Sequence, residues 1–203
     1  MFEKAFQKRE GEEAKAYLDL INPKLERGPY PETAQVLTFD LPFYAGCQLV
    51  EITDHGVQPP QSSIVIVKDK EEVRLLDWTN GPIYNLNEQV PVQITKDNVA
   101  EFVKFFFTYV AGRHGRFLIC ESVDDVAWKD EPAPAARKAI AQMIKPVTIT
   151  GEQPDGTYDL RANMMFKDSL FESAIHVTQV GQVSLSDEEL LVENMPVVED
   201  RYE

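Results

Sequence analysis

The sequence predicts an α+β protein: an antiparallel, twisted sheet packed around one long buried helix, with a second helix alongside. Three observations carry that expectation. Short β-type runs recur through the chain, residues 95–110 place apolar side chains at helical spacing, and a second helical stretch opens at Pro134. At 203 residues, with 43% hydrophobic and 27% charged side chains, the composition is that of an ordinary globular chain. Folding at that length buries roughly 70% of the unfolded surface. The expected division is an N-terminal helix and extended arm over 1–40, one α+β domain over 41–197, and an acidic tail over 198–203.

The elements follow in chain order. Ala14, Tyr17, Leu18 and Ile21 recur at helical spacing and predict a helix over 12–21, with Gly11 separating it from a frayed start. Asn22-Pro23 ends it, because proline lacks an amide hydrogen and restricts the residue before it. Pro29, Pro31 and Pro42 make the segment between Arg27 and Tyr44 read as an extended connection and not as core. β-type runs then recur at 49–53, 64–67, 73–78, 83–86 and 90–94. Asn80-Gly81 signals a type I′ hairpin turn, since both residues tolerate positive φ, and Pro82 marks a sheet edge.

Thr95 can cap a helix over 95–110 whose face carries Val99, Phe102, Val103, Phe106, Phe107 and Val110, with Phe105 and Tyr109 widening it. Burial at about 1.5 to 3 kcal/mol each rivals the whole net stability of a domain, so this stripe is core. Gly112 suits the position just past its end. Phe117, Leu118, Ile119 and Cys120 form a continuous apolar run, the pattern of a strand covered on both faces. Pro134 opens a helix over 134–144, and Pro146 stops it. Tyr158, Leu160, Ala162, Met164 and Phe166 alternate with Asp159, Arg161, Asn163, Met165 and Lys167, as in a half-buried strand. Asp168-Ser169 turns it back into Phe171, Ser173, Ile175 and Val177, and Gly181 turns again into 183–185. Residues 186–192 fit a capped helical turn and a strand equally well.

Charge narrows the function classes. The net charge of −14 repels phosphate backbones and anionic membrane faces, which argues against nucleic-acid and membrane partners. Residues 181–203 alone contribute −6, whereas 1–27 is neutral. The most apolar stretch is far shorter than the roughly 20 residues of a bilayer span, and the N-terminus lacks the pattern of a signal peptide. With only Cys47 and Cys120, and no metal or redox spacing, the expectation is a soluble, cytoplasmic protein without a cofactor or metal.

Phosphate loops, zinc-protease helices, nucleophile elbows and EF-hand loops are missing from the sequence, which leaves local clusters. Arg113, His114 and Arg116 form the densest basic patch, on a glycine-flanked loop where a carboxylate or phosphate could bind. The same cations also suit a helix C-terminus, which favours positive charge by about 0.3 to 1 kcal/mol. Glu121, Asp124 and Asp125 could hold a divalent cation or place a base beside His114; a turn capped by Ser122 or Asp124 accounts for them without a metal. Cys120 beside His114 suggests a nucleophile and base, against the ordinary reading of a small buried hydrophobe. Trp78 and Tyr84 flank Asn80-Gly81, as a cross-strand contact or a platform for stacking a ligand. His176 falls on the solvent face of its strand, and His55 lies in a Gly-Pro loop.

Gly112 to Phe117, Gly-Arg-His-Gly-Arg-Phe, and Phe166 to Phe171, Phe-Lys-Asp-Ser-Leu-Phe, resemble segments of an uncharacterised family of bacterial proteins, over about 41–197. The resemblance implies a bacterial origin and carries no activity, cofactor or site residue. The expected function is a non-catalytic domain that binds a small anionic ligand or a protein partner, with Arg113, Arg116, Trp78 and Tyr84 as ligand-binding residues. The alternative is an enzyme acting on a small anionic substrate, with His114 or Glu121 moving a proton.

Overall fold

The computed structural model describes residues 6–198, which divide into two compact units, 6–77 and 78–198. The first contains β1 (Gln7–Arg9), α1 (Gly11–Ile21), β2 (Gln35–Asp40), β3 (Cys47–Asp54), β4 (Gln61–Lys68) and β5 (Glu72–Leu75). Its strands form an antiparallel sheet in the order β1-β2-β3-β4-β5.

One face of that sheet carries Val36, Val50, Ile52, Val65 and Val67, and α1 covers it with Ala14, Leu18 and Ile21. Polar groups on the same unit find partners. The Tyr30 hydroxyl donates to Ser63 Oγ at 2.9 Å, Tyr17 donates to Gln48 Oε1 at 2.5 Å, and Arg9 Nε donates to Thr38 Oγ1 at 2.9 Å. The helix matches the sequence reading, but its surroundings do not. Gly11, at φ +57°, turns a paired strand into α1 where a frayed start was expected. The presumed connection contains β2, hydrogen-bonded on both sides, because the prolines at 29, 31 and 42 bracket the strand and leave its ladder amides intact.

The second unit contains α2 (Gly81–Gln89), α3 (Val99–Tyr109), β6 (Phe117–Cys120), α4 (Pro134–Met143), β7 (Thr148–Glu152), β8 (Tyr158–Phe166), β9 (Ser169–Val177) and β10 (Val183–Val192). Its sheet runs β10-β9-β8-β6, with β7 also paired to β8. The α+β class therefore holds, but the strands form two five-stranded antiparallel sheets where one was expected.

Three segments of this unit depart from the sequence reading. No hairpin forms at Asn80-Gly81: Asn80 sits at φ −76°, and Pro82 falls in the first turn of α2, where its missing amide costs nothing. Ile83 and Leu86, expected in a strand, are the buried residues of that helix, three positions apart. The run at 90–94 is not a strand. In addition, α3 begins at Val99 instead of Thr95, because Asn98 Oδ1 accepts from Thr95 N at 2.8 Å and closes a separate turn ahead of the helix. Val99, Phe102, Val103, Phe105, Phe106, Phe107 and Tyr109 of α3 are buried, more than one face of a helix can hold.

β8 and β9 pair from Tyr158↔Val177 to Phe166↔Ser169, the turn expected at 168–169. Strict alternation fails in the second half of β8, where Ala162 to Met165 are all buried. A second layer covers the outward residues there: Met165 joins Cys120, Val126, Ile140, Ile144, Leu170, Met195 and Val197 in a small core beside α4. Residues 183–192 form a single strand whose register breaks after Ser186 and resumes at Glu189. Among the described residues, no helix is long and apolar enough to cross a membrane. Most of the expected acidic tail, 199–203, lies outside the described residues.

Candidate functional site

The loop between α3 and β6 is built by its own backbone. Gly112 N donates to Gly115 O at 2.8 Å and Gly115 N returns a bond to Gly112 O at 3.2 Å, which leaves Arg113 and His114 at the tip, both exposed. Gly115 has φ +142°, a value only glycine adopts readily. Arg116 points back. Its Nη1 donates to Thr108 O at 2.8 Å in the last turn of α3, so it satisfies a terminal carbonyl as the helix-end reading requires. Its guanidinium also lies 5.4 Å from the centroid of the Trp78 ring. Trp78 has φ +67°, an uncommon conformation for a bulky residue, and its carbonyl accepts from Ala111 N at 2.7 Å.

This loop walls two clefts. On one side a cleft of about 270 Å³ has a floor of Leu118, Cys120, Val126, Met165 and Val197. Its rim carries His114, Arg116, Lys167 and Asp125. Asp125 is occupied within its own turn, where Oδ2 accepts from the amides of Glu121 and Ser122 at 2.9 Å each, completing the cap that Ser122 makes with Asp124 N. Lys167 stands in the β8–β9 turn at φ +54°, with its ammonium 5.4 Å from the Phe166 ring. Phe166 stacks on Phe117, its cross-strand partner, with centroids 4.6 Å apart, so segments 112–117 and 166–171 meet here. On the other side, Tyr84, Phe106, Phe107, Phe117 and Leu185 line a cleft of about 330 Å³. Tyr84 stacks on Phe106 there at 5.8 Å.

The sequence candidates are thus divided. His114 and Arg116 share the basic cleft, with Trp78 beneath the arginine; Arg113 is at the loop tip, and Tyr84 lines the aromatic cleft. Glu121 faces α3, where it accepts from Lys104 Nζ at 2.8 Å, and its other oxygen accepts from Val147 N at 3.2 Å. Asp124 pairs with Arg137. Among the described residues, no three His, Cys, Asp or Glu side chains are grouped to hold a metal ion. Cys120 is 1% exposed. Burial, and secondarily the Asp125 carboxylate, pushes its thiol up to about 12, so it stays protonated near neutrality and packs as a small hydrophobe.

His176, on the outward face of its strand as its parity predicts, is held there by two side chains. His176 Nδ1 lies 2.7 Å from Asp159 Oδ1, and its Nε2 lies 2.9 Å from Ser186 Oγ. His176 and Asp159 are directly opposed on β9 and β8, and Ser186 is two residues along β10 from Ser184, the partner of His176. All three project from the same face, at intermediate exposure: 34% for the His176 side chain and 30% for Asp159. Gln153 Nε2 donates to both Asp159 oxygens at 3.0 and 3.3 Å. The His176 bond first and the Gln153 bond second hold the Asp159 carboxyl below its usual range.

Strand parity placed His176 and Asp159 outward, but only the register brings them together, and a one-residue slip would separate them. Lys167 was counted only as part of an alternating strand; its place in a turn beside the basic loop carried the missed signal. No protein-family model, no curated protein and no solved structure matches the chain.

Proposed function

We propose that the protein binds a small carboxylate- or phosphate-bearing molecule in the cleft rimmed by His114, Arg116 and Lys167. The observation that carries this reading is the collection of three basic side chains around one apolar-floored cleft in a chain of net charge −14. The Lys167 ammonium supplies a charge-assisted hydrogen bond to an anion, the Arg116 guanidinium adds positive charge at the rim while it holds Thr108 O, and the floor accepts the carbon skeleton. At about 270 Å³ the cleft sits at the lower limit of small-molecule sites, which favours a ligand of few atoms.

The binding role is favoured over the acid–base alternative because Glu121, one of the two side chains proposed to move a proton there, is committed to Lys104 and the Val147 amide. Two buried, unpaired cysteines suit a reducing compartment, which supports a cytoplasmic setting.

The test is thermal unfolding in phosphate and in citrate, against chloride of equal ionic strength. A ligand at a hundred times its Kd adds about 2.7 kcal/mol, which moves Tm by roughly 5 to 10 °C for a chain of this size. Lys167→Ala and Arg116→Ala should each lose most of that shift relative to their own baselines, while Arg113→Ala keeps it. An equal shift in the Arg116→Ala, Lys167→Ala double variant, or none in the wild type, would overturn the proposal.

A further inference from the structure

Away from that cleft, we propose a second site: Ser186, His176 and Asp159 form a nucleophile, base and orienting acid that transfer acyl groups from small neutral carboxylic esters.

The protonation pattern follows from the partners. Ionised Asp159 can only accept, so the His176 nitrogen 2.7 Å from it, Nδ1, carries the proton. In the neutral imidazole Nε2 then presents its lone pair to the Ser186 hydroxyl at 2.9 Å, the direction in which a serine proton must leave. Gln153 holds the carboxylate from the far side, so each member of the row is oriented by the next. Ser186 also stands where the strand is irregular. The pairing passes from Ser186↔Ala174 to Glu189↔Glu172, leaving Asp187 and Glu188 out of register, with Asp187 at φ +51°. A bulge directly after a serine re-aims its side chain and displaces the backbone that follows from the regular ladder, which is where an oxyanion would be met.

The chemistry balances within the row and the ester. Ser186 Oγ bonds to the carbonyl carbon while its proton passes to His176 Nε2. The carbon–oxygen bond to the leaving alcohol then breaks, and His176 returns the proton to that oxygen. Water repeats the sequence on the acyl-serine and releases the acid. His176 and Ser186 touch the reacting atoms; Asp159 is a positioning residue. The acidic run Asp187, Glu188 and Glu189, all exposed, disfavours anionic esters and restricts the class to neutral ones.

The experiment treats the full chain with a fluorophosphonate probe and with p-nitrophenyl acetate. The expected result is one phosphonate per chain, located on Ser186 by peptide mass spectrometry, and ester turnover lost in Ser186→Ala. His176→Ala should slow labelling by at least about 100-fold, and added imidazole should restore part of it. Asp159→Asn should slow it too, with Asp159→Glu recovering part of the rate. A wild-type protein that leaves the probe unreacted, a label at any other residue, or ester turnover unchanged in Ser186→Ala overturns the proposal. Melting curves of each variant separate lost chemistry from lost fold.

Discussion

His114 and His176 occupy opposite kinds of place. His114 stands at the tip of a loop held by two glycine backbone bonds, exposed at the rim of a cleft. His176 sits within a strand, next to its C-terminal residue, with both ring nitrogens engaged, between a carboxylate and a hydroxyl. The first is placed to meet something from outside; the second is already organised by its neighbours. A loop offers reach and adaptability, whereas adjacent strands hold three side chains in a row, because each is fixed by its own ladder.

That contrast can be broken by stability measurements. The largest effect belongs to the apolar face behind the row: Leu160, 1% exposed and opposed to Ile175, should cost about 3 kcal/mol as Leu160→Ala in urea unfolding. A cost below about 1 kcal/mol would show that the sheet holding the row is not rigidly packed. Next come the histidines themselves. His176→Ala removes two hydrogen bonds and should cost about 1 to 2 kcal/mol, while His114→Ala, at an exposed loop tip, should stay within about 0.5 kcal/mol. Equal costs would erase the distinction.

The smallest effect is a pH dependence. The Asp159 carboxyl is depressed in the folded state, by His176 first and Gln153 second. Its contribution is therefore present above the unfolded carboxylate pKa and is lost as pH falls through the lower folded value. Between about pH 5 and pH 2 the wild type should lose more Tm than Asp159→Asn, so that their curves converge in acid. Parallel curves would mean that the bonds to Asp159 do not persist in solution.

These regions also differed in how far the sequence revealed them. The strand at 158–166 and the turn beyond it were legible because a period of two is strong and local, but the covering of both faces from Ala162 to Met165 was not. The aromatic helix was legible because its spacing leaves no other reading. Asn80-Gly81 misled because a turn dipeptide and a helix start share polar residues and glycine, and Pro82 serves either; the three-residue step from Ile83 to Leu86 was the discriminating signal. β2 was hidden by prolines that flank it instead of interrupting it. In the basic loop, His114 and Arg116 were legible as a cluster because they are neighbours in sequence. The Ser186, His176 and Asp159 row was not, since its members are brought together only by the register of three strands.

The bulge after Ser186 also bears on how the chain behaves among copies of itself. β10 ends its sheet, so one side of the strand has no strand beside it among the described residues. An open edge of this kind is where another chain can add its own backbone and begin a growing stack. The register break and the three acidic side chains at Asp187, Glu188 and Glu189 interrupt that edge and set like charges against any identical strand approaching it. The acidity at these positions therefore opposes edge-to-edge pairing of identical chains, and neutralising the three carboxylates should promote self-association, visible as a larger species in size-exclusion chromatography.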